Sequence, residues 1–218
     1  PRLHQHGLND VDAFKDLEPA QLVDSAKEAI AIGKSIGRNL IVISTSTGST
    51  LASYLAANDP DIKALVCLSP NFDLYDSKSQ LLVKPWGKQF FRFMMGGDYR
   101  QWETSPEAMQ YWTTKNHIDA HIALRHLLNE TMTEATFKSI DVPVYITYYY
   151  KNDSDKDEII SIEAIQHYAD HLSTAADSLE VQVISHGKGH VIASKYMNEE
   201  WAVVQDSIFQ YLNKIMGI

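Results

Sequence analysis

The chain reads as an α/β protein, a mostly parallel sheet flanked by helices with a helical cap inserted, and three observations predict it. Leu40–Ile43 and Ile62–Leu68 are nearly continuous apolar, β-branched-rich runs, as expected of strands buried on both faces. Segments with helical character separate these strands, and an alternation of strand and helix implies a parallel sheet covered on both sides. The alternation stops at Ser69-Pro70 and resumes only after Asp141, leaving room for an insertion. The expected division is therefore a core of residues 1–70 and 142–218, with residues 71–141 as the helical cap.

Residues 1–12 are polar and turn-like. Asp16-Leu17-Glu18-Pro19 then opens a helix, with Asp16 as the expected N-cap and Leu22, Ala26, Ile30 and Ile32 as its apolar face up to Gly33. A strand over 39–44 follows, then Ser44-Thr45-Ser46-Thr47-Gly48, then the Ala/Leu-rich helix from Ser49. Asn58-Asp59-Pro60-Asp61 ends that helix ahead of the strand Ile62–Leu68. The stretch 71–141 holds three of the four tryptophans, the cluster Trp86–Met95, a helix around His121–Leu128 and no strand pattern. Beyond it come a strand over 142–149, a helix Ile162–Leu172, a strand 179–185 and a C-terminal helix Glu199–Ile215.

With 218 residues the chain can bury one sizeable core. A net charge of −9 disfavours a broad nucleic-acid-binding or anionic-membrane surface, and no apolar stretch reaches transmembrane length. Cys67 is the only cysteine, so no intrachain disulfide forms; within Ala64–Leu68 it reads as a small buried hydrophobe.

The most informative segment is the turn at Ser44–Gly48. A β-branched strand, a tight turn of small residues and a helix together form a nucleophile elbow, in which the central hydroxyl stands exposed above the sheet edge. Small residues flank it two positions away because strand and helix come close there. Gly48 and Ser44 fit with Ser46 at the centre, whereas a frame centred on Ser44 puts Val42 at a small-residue position. Serine needs a base to become a nucleophile, histidine suits that task, and a carboxylate orients the histidine. His190, in Gly187-Lys188-Gly189-His190 after the last strand, is the candidate base; His186 competes but lies too near the strand end. The acid comes from the loop Asn152–Asp157. Asp157 is the leading candidate, because Ile159-Ile160 can pin it to the core, and Asp153 is the reserve. The order Ser…Asp…His is the one α/β-hydrolases use. His4, His6, His117, His121 and His126 match no common zinc spacing, which leaves no metal site predicted. The aromatic and methionine cluster at 86–95 reads as core, although a cap above a serine elbow is also where an acyl chain would lie.

On these residues the sequence resembles the α/β-hydrolase superfamily, and within it the carboxylesterase and monoacylglycerol-lipase-like members. Pro1-Arg2-Leu3-His4-Gln5-His6-Gly7 is similar to the family's Arg-Leu-x-Gly-His-Gly stretch, with Gln5 in place of a glycine. Asp157-Glu158-Ile159-Ile160 is similar to its Asp-x-Val-Val, and Gly189-His190-Val191 to its histidine motif. The resemblance implies Ser46 as nucleophile, Thr47 as the residue whose backbone N–H forms half the oxyanion hole, and Asp157 and His190 as the remaining triad members. It implies hydrolysis of a small-molecule carboxylic ester with no metal or organic cofactor and no nucleic-acid partner; a thioesterase or peptidase would use the same residues. It also implies eight strands, of which this chain supplies the last four. The expectation is an N-terminal segment or companion chain, on the order of 50–100 residues, that completes the sheet and brings the second oxyanion donor. The rival expectation is a non-catalytic binding or interaction module with an incomplete oxyanion hole.

Overall fold

The computed structural model describes residues 2–8, 10, 12–187 and 189–217; Pro1 and Lys188, named in the motifs above, lie outside the described residues. In chain order the elements are α1 (Pro19–Ile36), β1 (Leu40–Thr45), α2 (Thr47–Ala56), β2 (Ile62–Leu68), a 3-10 segment (Ser77–Val83), α3 (Gly87–Met95), β3 (Tyr99–Gln101) and α4 (Pro106–Met109). They continue with β4 (Lys115–His117), α5 (Ile118–Thr131), α6 (Glu134–Lys138), β5 (Val144–Asn152), β6 (Asp155–Lys156), α7 (Ile162–His171), β7 (Leu179–Ile184) and α8 (Trp201–Met216). The chain divides into two compact units, residues 1–31 with 77–130 and residues 32–76 with 131–218. No helix among the described residues is long and apolar enough to cross a membrane.

The unit of residues 32–76 and 131–218 is built on a parallel sheet ordered β1-β2-β5-β7, and the short β6 folds back antiparallel on the end of β5. Side chains alternate in direction along a strand, which gives this sheet two apolar faces. Val66, Leu68, Tyr145 and Tyr149 pack with Val204, Ile208 and Tyr211 of α8. The opposite face carries Cys67, beside Ser49 and Ser53 of α2, and Tyr148, beside Gln166 of α7. The buried Ser53–Tyr168 hydroxyl pair, 2.9 Å apart, links α2 to α7. Cys67 is fully buried, as expected, and burial pushes its thiol up to about 12. Among the described residues β1 pairs on one side only, with β2, and Ile43 is 55% exposed.

The unit of residues 1–31 and 77–130 contains the start of α1, the 3-10 segment, α3, the β3–β4 hairpin, α4 and most of α5. Buried Leu17, Leu22, Leu82, Ile118, Leu127 and Leu128 belong to it. Its polar centre is Asp119, which pairs with Lys88 at 2.6 Å and accepts the Asp16 N–H at 3.1 Å.

Several expectations need correction. Asp16 is not the N-cap of α1: it has φ 56° and its N–H is bound to Asp119, while the helix opens at Pro19 with the Glu18 N–H held by Gln21 Oε1. Ile32 is exposed rather than on the apolar face. The insertion does contain strands, β3 and β4, which carry no apolar run; Lys115 over the Tyr99 ring and a Tyr99–His117 edge contact hold them instead. Of α3, Gly87 alone is buried, and Trp86, Phe90, Phe93 and Met94 are exposed, so the 86–95 cluster is not core. The compact units are a separate description from the expected core of 1–70 and 142–218 and cap of 71–141: residues 1–31 group with 77–130, and 32–76 with 131–218.

Candidate active site

Ser46 sits between β1 and α2 with φ 54° and ψ −123°, a conformation that costs a non-glycine residue on the order of 1–3 kcal/mol. Three backbone bonds hold it there. Its N–H donates to Leu68 O at 3.0 Å, and its carbonyl accepts from the Ser49 N–H at 2.9 Å and the Asn71 N–H at 3.2 Å. Thr50 Oγ1 in turn donates to Asn71 O at 2.5 Å. Ser44 is committed elsewhere, with its Oγ 3.1 Å from Ser49 Oγ and 3.2 Å from Val66 O. A methyl at Gly48 would meet Ser44 Cβ at 3.6 Å, ordinary contact, so the space between the two small positions admits little more than that.

Asp157 follows β6, its side chain fully shielded from solvent. Its N–H donates to Tyr149 O at 3.2 Å, and its Oδ1 accepts the Ile159 N–H at 2.9 Å. The segment after it is fixed to residues 73–75 by Tyr75 N–H to Ile159 O, Ser161 N–H to Asp73 O and the Leu74–Ile160 bridge. Ile160 is buried but Ile159 is exposed, so the expected apolar pair reduces to one side chain plus main-chain bonds. Asp153, the reserve candidate, is 93% exposed in its side chain; it accepts from Tyr150 OH at 3.1 Å and lies 3.9 Å from Lys156 Nζ, both within its own hairpin.

His190 joins the other two. Its Nδ1 lies 2.7 Å from Asp157 Oδ2, and its Nε2 lies 2.7 Å from Ser46 Oγ. A carboxylate only accepts, so Nδ1 is the donor to Asp157 and Nε2 is left to accept the Ser46 hydroxyl proton. His186 is exposed on the same loop. The structure thus brings together Ser46, Asp157 and His190 from three parts of the sequence and leaves Ser44, Asp153 and His186 outside. Thr47 is the first residue of α2, where a backbone N–H has no acceptor inside the helix and forms part of the positive end of its dipole. None of the five histidines weighed for metal joins this group. His121, half-buried with a shielded, unpartnered Nε2 and near Arg100, is pushed down to about 4 by desolvation first and the guanidinium second.

No protein-family model and no curated protein matches the sequence. Solved structures do. The chain is similar to a metagenome-derived lipolytic enzyme of the LipS and LipT pair, at 12% identity over 98% of this chain and 80% of that one, with a TM-score of 0.77. It is similar to a monoacylglycerol lipase from Paleococcus ferrophilus at 13% identity, over 90% and 75% of the two chains, with a TM-score of 0.64. A soluble variant of the Saccharomyces cerevisiae monoglyceride lipase, solved with a substrate analogue, matches at 11% identity over 91% and 70%, with a TM-score of 0.66. The chain has the α/β-hydrolase fold.

Within that fold, the parts that sequence reasoning missed are those that brace Ser46 and His190. Asn198 is buried and donates through Nδ2 to Ile192 O at 2.7 Å, fixing the chain just after His190. Gly187, with φ 84°, packs so close to Asn198 that a methyl there would meet its Oδ1 at 2.1 Å. Asn71, which braces the Ser46 carbonyl, follows a Ser-Pro pair that reads as a plain strand exit.

Proposed function

We propose that the chain is a serine hydrolase cleaving carboxylic esters, and the observation that carries this is the unbroken Ser46–His190–Asp157 relay at 2.7 Å per step. Ser46 Oγ attacks the acyl carbon while His190 Nε2 takes its proton, and Asp157 holds the imidazole in the tautomer that allows this. The Thr47 N–H faces the oxyanion of the tetrahedral intermediate. On collapse the alkoxide leaves with the proton from His190, and Ser46 carries the acyl group. A water then gives its proton to His190 and attacks the acyl carbon. The second intermediate releases the acid and returns the proton to Ser46. The relay needs no metal or organic cofactor. The lipolytic and monoglyceride-lipase character of similarly folded proteins supports acyl esters of small molecules as substrates. A thioester or peptide would pass through the same steps.

One N–H is half of the usual pair of oxyanion donors, and the loss of one donor lowers turnover by about 10²–10³. The unpaired side of β1, with Ile43 exposed, offers a place for a further strand close to the elbow. A segment of the same gene product or a companion chain that pairs there would carry the second N–H. Were Thr47 to remain the sole donor, the site would fit the second reading, a non-catalytic binding module.

A fluorophosphonate probe separates the two. Under the hydrolase reading it labels the protein and the Ser44→Ala variant but not Ser46→Ala. A folded protein that takes no label supports the binding module, and equal loss in both variants would undo the Ser46 assignment.

A further inference from the structure

We infer that Glu134, His167 and His171 form a binding site for a divalent transition-metal ion, zinc in the first instance, on the surface formed by α6 and α7. His167 and His171 lie four residues apart on α7, one turn of the same helix face. Glu134 opens α6, and a ligating atom from each of the three residues lies within 4.8 Å of the others. A tetrahedral zinc with bonds of 2.0–2.1 Å needs its ligands about 3.3 Å apart, so rotation of exposed side chains closes the remaining gap.

Three details go beyond the proximity of three polar groups. His171 Nδ1 bonds to the His167 carbonyl at 2.8 Å. The carbonyl accepts, so Nδ1 carries the proton and Nε2 keeps its lone pair, facing Glu134 Oε1 at 3.8 Å. A ligand histidine whose other nitrogen is anchored to a carbonyl is the usual outer-shell arrangement of a metal site. Glu134 Oε2 is held by Lys138 at 2.7 Å, which orients the carboxylate and leaves Oε1 toward the imidazoles. The His167 and His171 rings lie side by side with centroids 4.1 Å apart, and the Phe137 ring stands edge-on to His167 at 6.0 Å. Two imidazole nitrogens and one carboxylate oxygen suit zinc, with water completing the tetrahedron. The three residues are remote from the relay in their bonding and share no partner with Ser46, Asp157 or His190. A bound ion would clamp α6 to α7 rather than take part in the reaction.

The test is calorimetric titration of the untagged, chelator-stripped full chain with zinc chloride alone, followed by thermal unfolding with and without zinc. The expected result is a single zinc per chain and a higher unfolding temperature. Affinity should fall at least about tenfold in His167→Gln and in His171→Gln, and labelling by the fluorophosphonate probe should be the same in both variants as in the parent. All three residues are at least partly exposed, so these variants fold. No binding at millimolar zinc, or binding that both variants retain, would overturn the site. Neither result depends on whether the protein hydrolyses esters.

Discussion

Replacing Asp157 with asparagine tests the proposed relay at its least exposed member. The substitution preserves volume and the Ile159 N–H bond, because an amide oxygen can still accept at the Oδ1 position. The amide nitrogen then occupies the Oδ2 position, 2.7 Å from His190 Nδ1, and it can only donate. His190 must therefore present an unprotonated Nδ1, which moves its proton to Nε2. That proton points at Ser46 Oγ, and the base has lost the lone pair that would accept the serine hydrogen. The expected loss in kcat is on the order of 10⁴, equivalent to about 5 kcal/mol in the barrier, as for other triads whose carboxylate is turned into an amide. Asp153→Asn, at a solvent-facing carboxylate whose partners, Tyr150 and Lys156, lie in its own hairpin, should change kcat by less than about twofold. Initial rates on short-chain p-nitrophenyl esters read both variants, and circular dichroism confirms that each is folded. An Asp157→Asn enzyme within tenfold of the parent would refute the relay, and a large loss in Asp153→Asn alone would move the acid to that residue.

Three further outcomes are expected. His190→Ala should abolish both hydrolysis and probe labelling, whereas His186→Ala should retain both; the reverse would mean the loop presents the other imidazole. Gly187→Ala forces a side chain into a positive-φ position and against Asn198, so it should destabilise the fold by about 1–3 kcal/mol and lower kcat through the His190 loop, both measurable by urea unfolding and initial rates. His121 is held near 4 when folded against an ordinary value near 6.5, so the unfolded chain takes up a proton first as the pH falls. Its contribution is flat above 6.5, and stability is lost from there down to about 4, at roughly 1.4 kcal/mol per pH unit. Between pH 7.5 and 5 the parent should therefore lose roughly 2 kcal/mol more than His121→Phe; equal losses in denaturant unfolding would show that the imidazole is not shielded.

The elbow was legible because its chemistry is local: a serine between two small positions, with an apolar strand before it and an Ala/Leu helix after it, leaves one workable frame. His190 was legible from order along the chain, since the histidine of this arrangement follows the last strand. The acid was harder to read: Asp153, Asp155 and Asp157 share one loop, and only the Ile159-Ile160 pair favoured Asp157 over Asp153. The hairpin of β5 and β6 ranks them: it turns Asp153 out to solvent and brings Asp157 in under the main chain of residues 73–75. That contact joins segments some eighty positions apart, and no local pattern encodes it. The grouping of residues 1–31 with 77–130 escaped for the same reason, being discontinuous in sequence. His167 and His171 are a different case. Their spacing of four is plain in the sequence, but the carboxylate that makes the pair interesting comes from α6 and depends on how α6 packs against α7.

The three proposed catalytic residues are braced unequally, and the differences follow from what each must do. Ser46 is strained and held by three main-chain bonds, which fix the hydroxyl before any substrate arrives. Asp157 has its N–H, its Oδ1 and the following segment all bound to the main chain, so the carboxylate cannot swing away from the imidazole. His190 instead lies on a loop with two positive-φ glycines before it, Gly187 and Gly189, and one buried side chain, Asn198, securing the chain after it. Its ring position is set mainly by the two partners it touches. A base that must face first the serine proton, then the leaving group, then a water is best carried on the least constrained of the three supports. Preorganisation by the rigid pair makes that tolerable, because both ends of the imidazole's short path are already fixed.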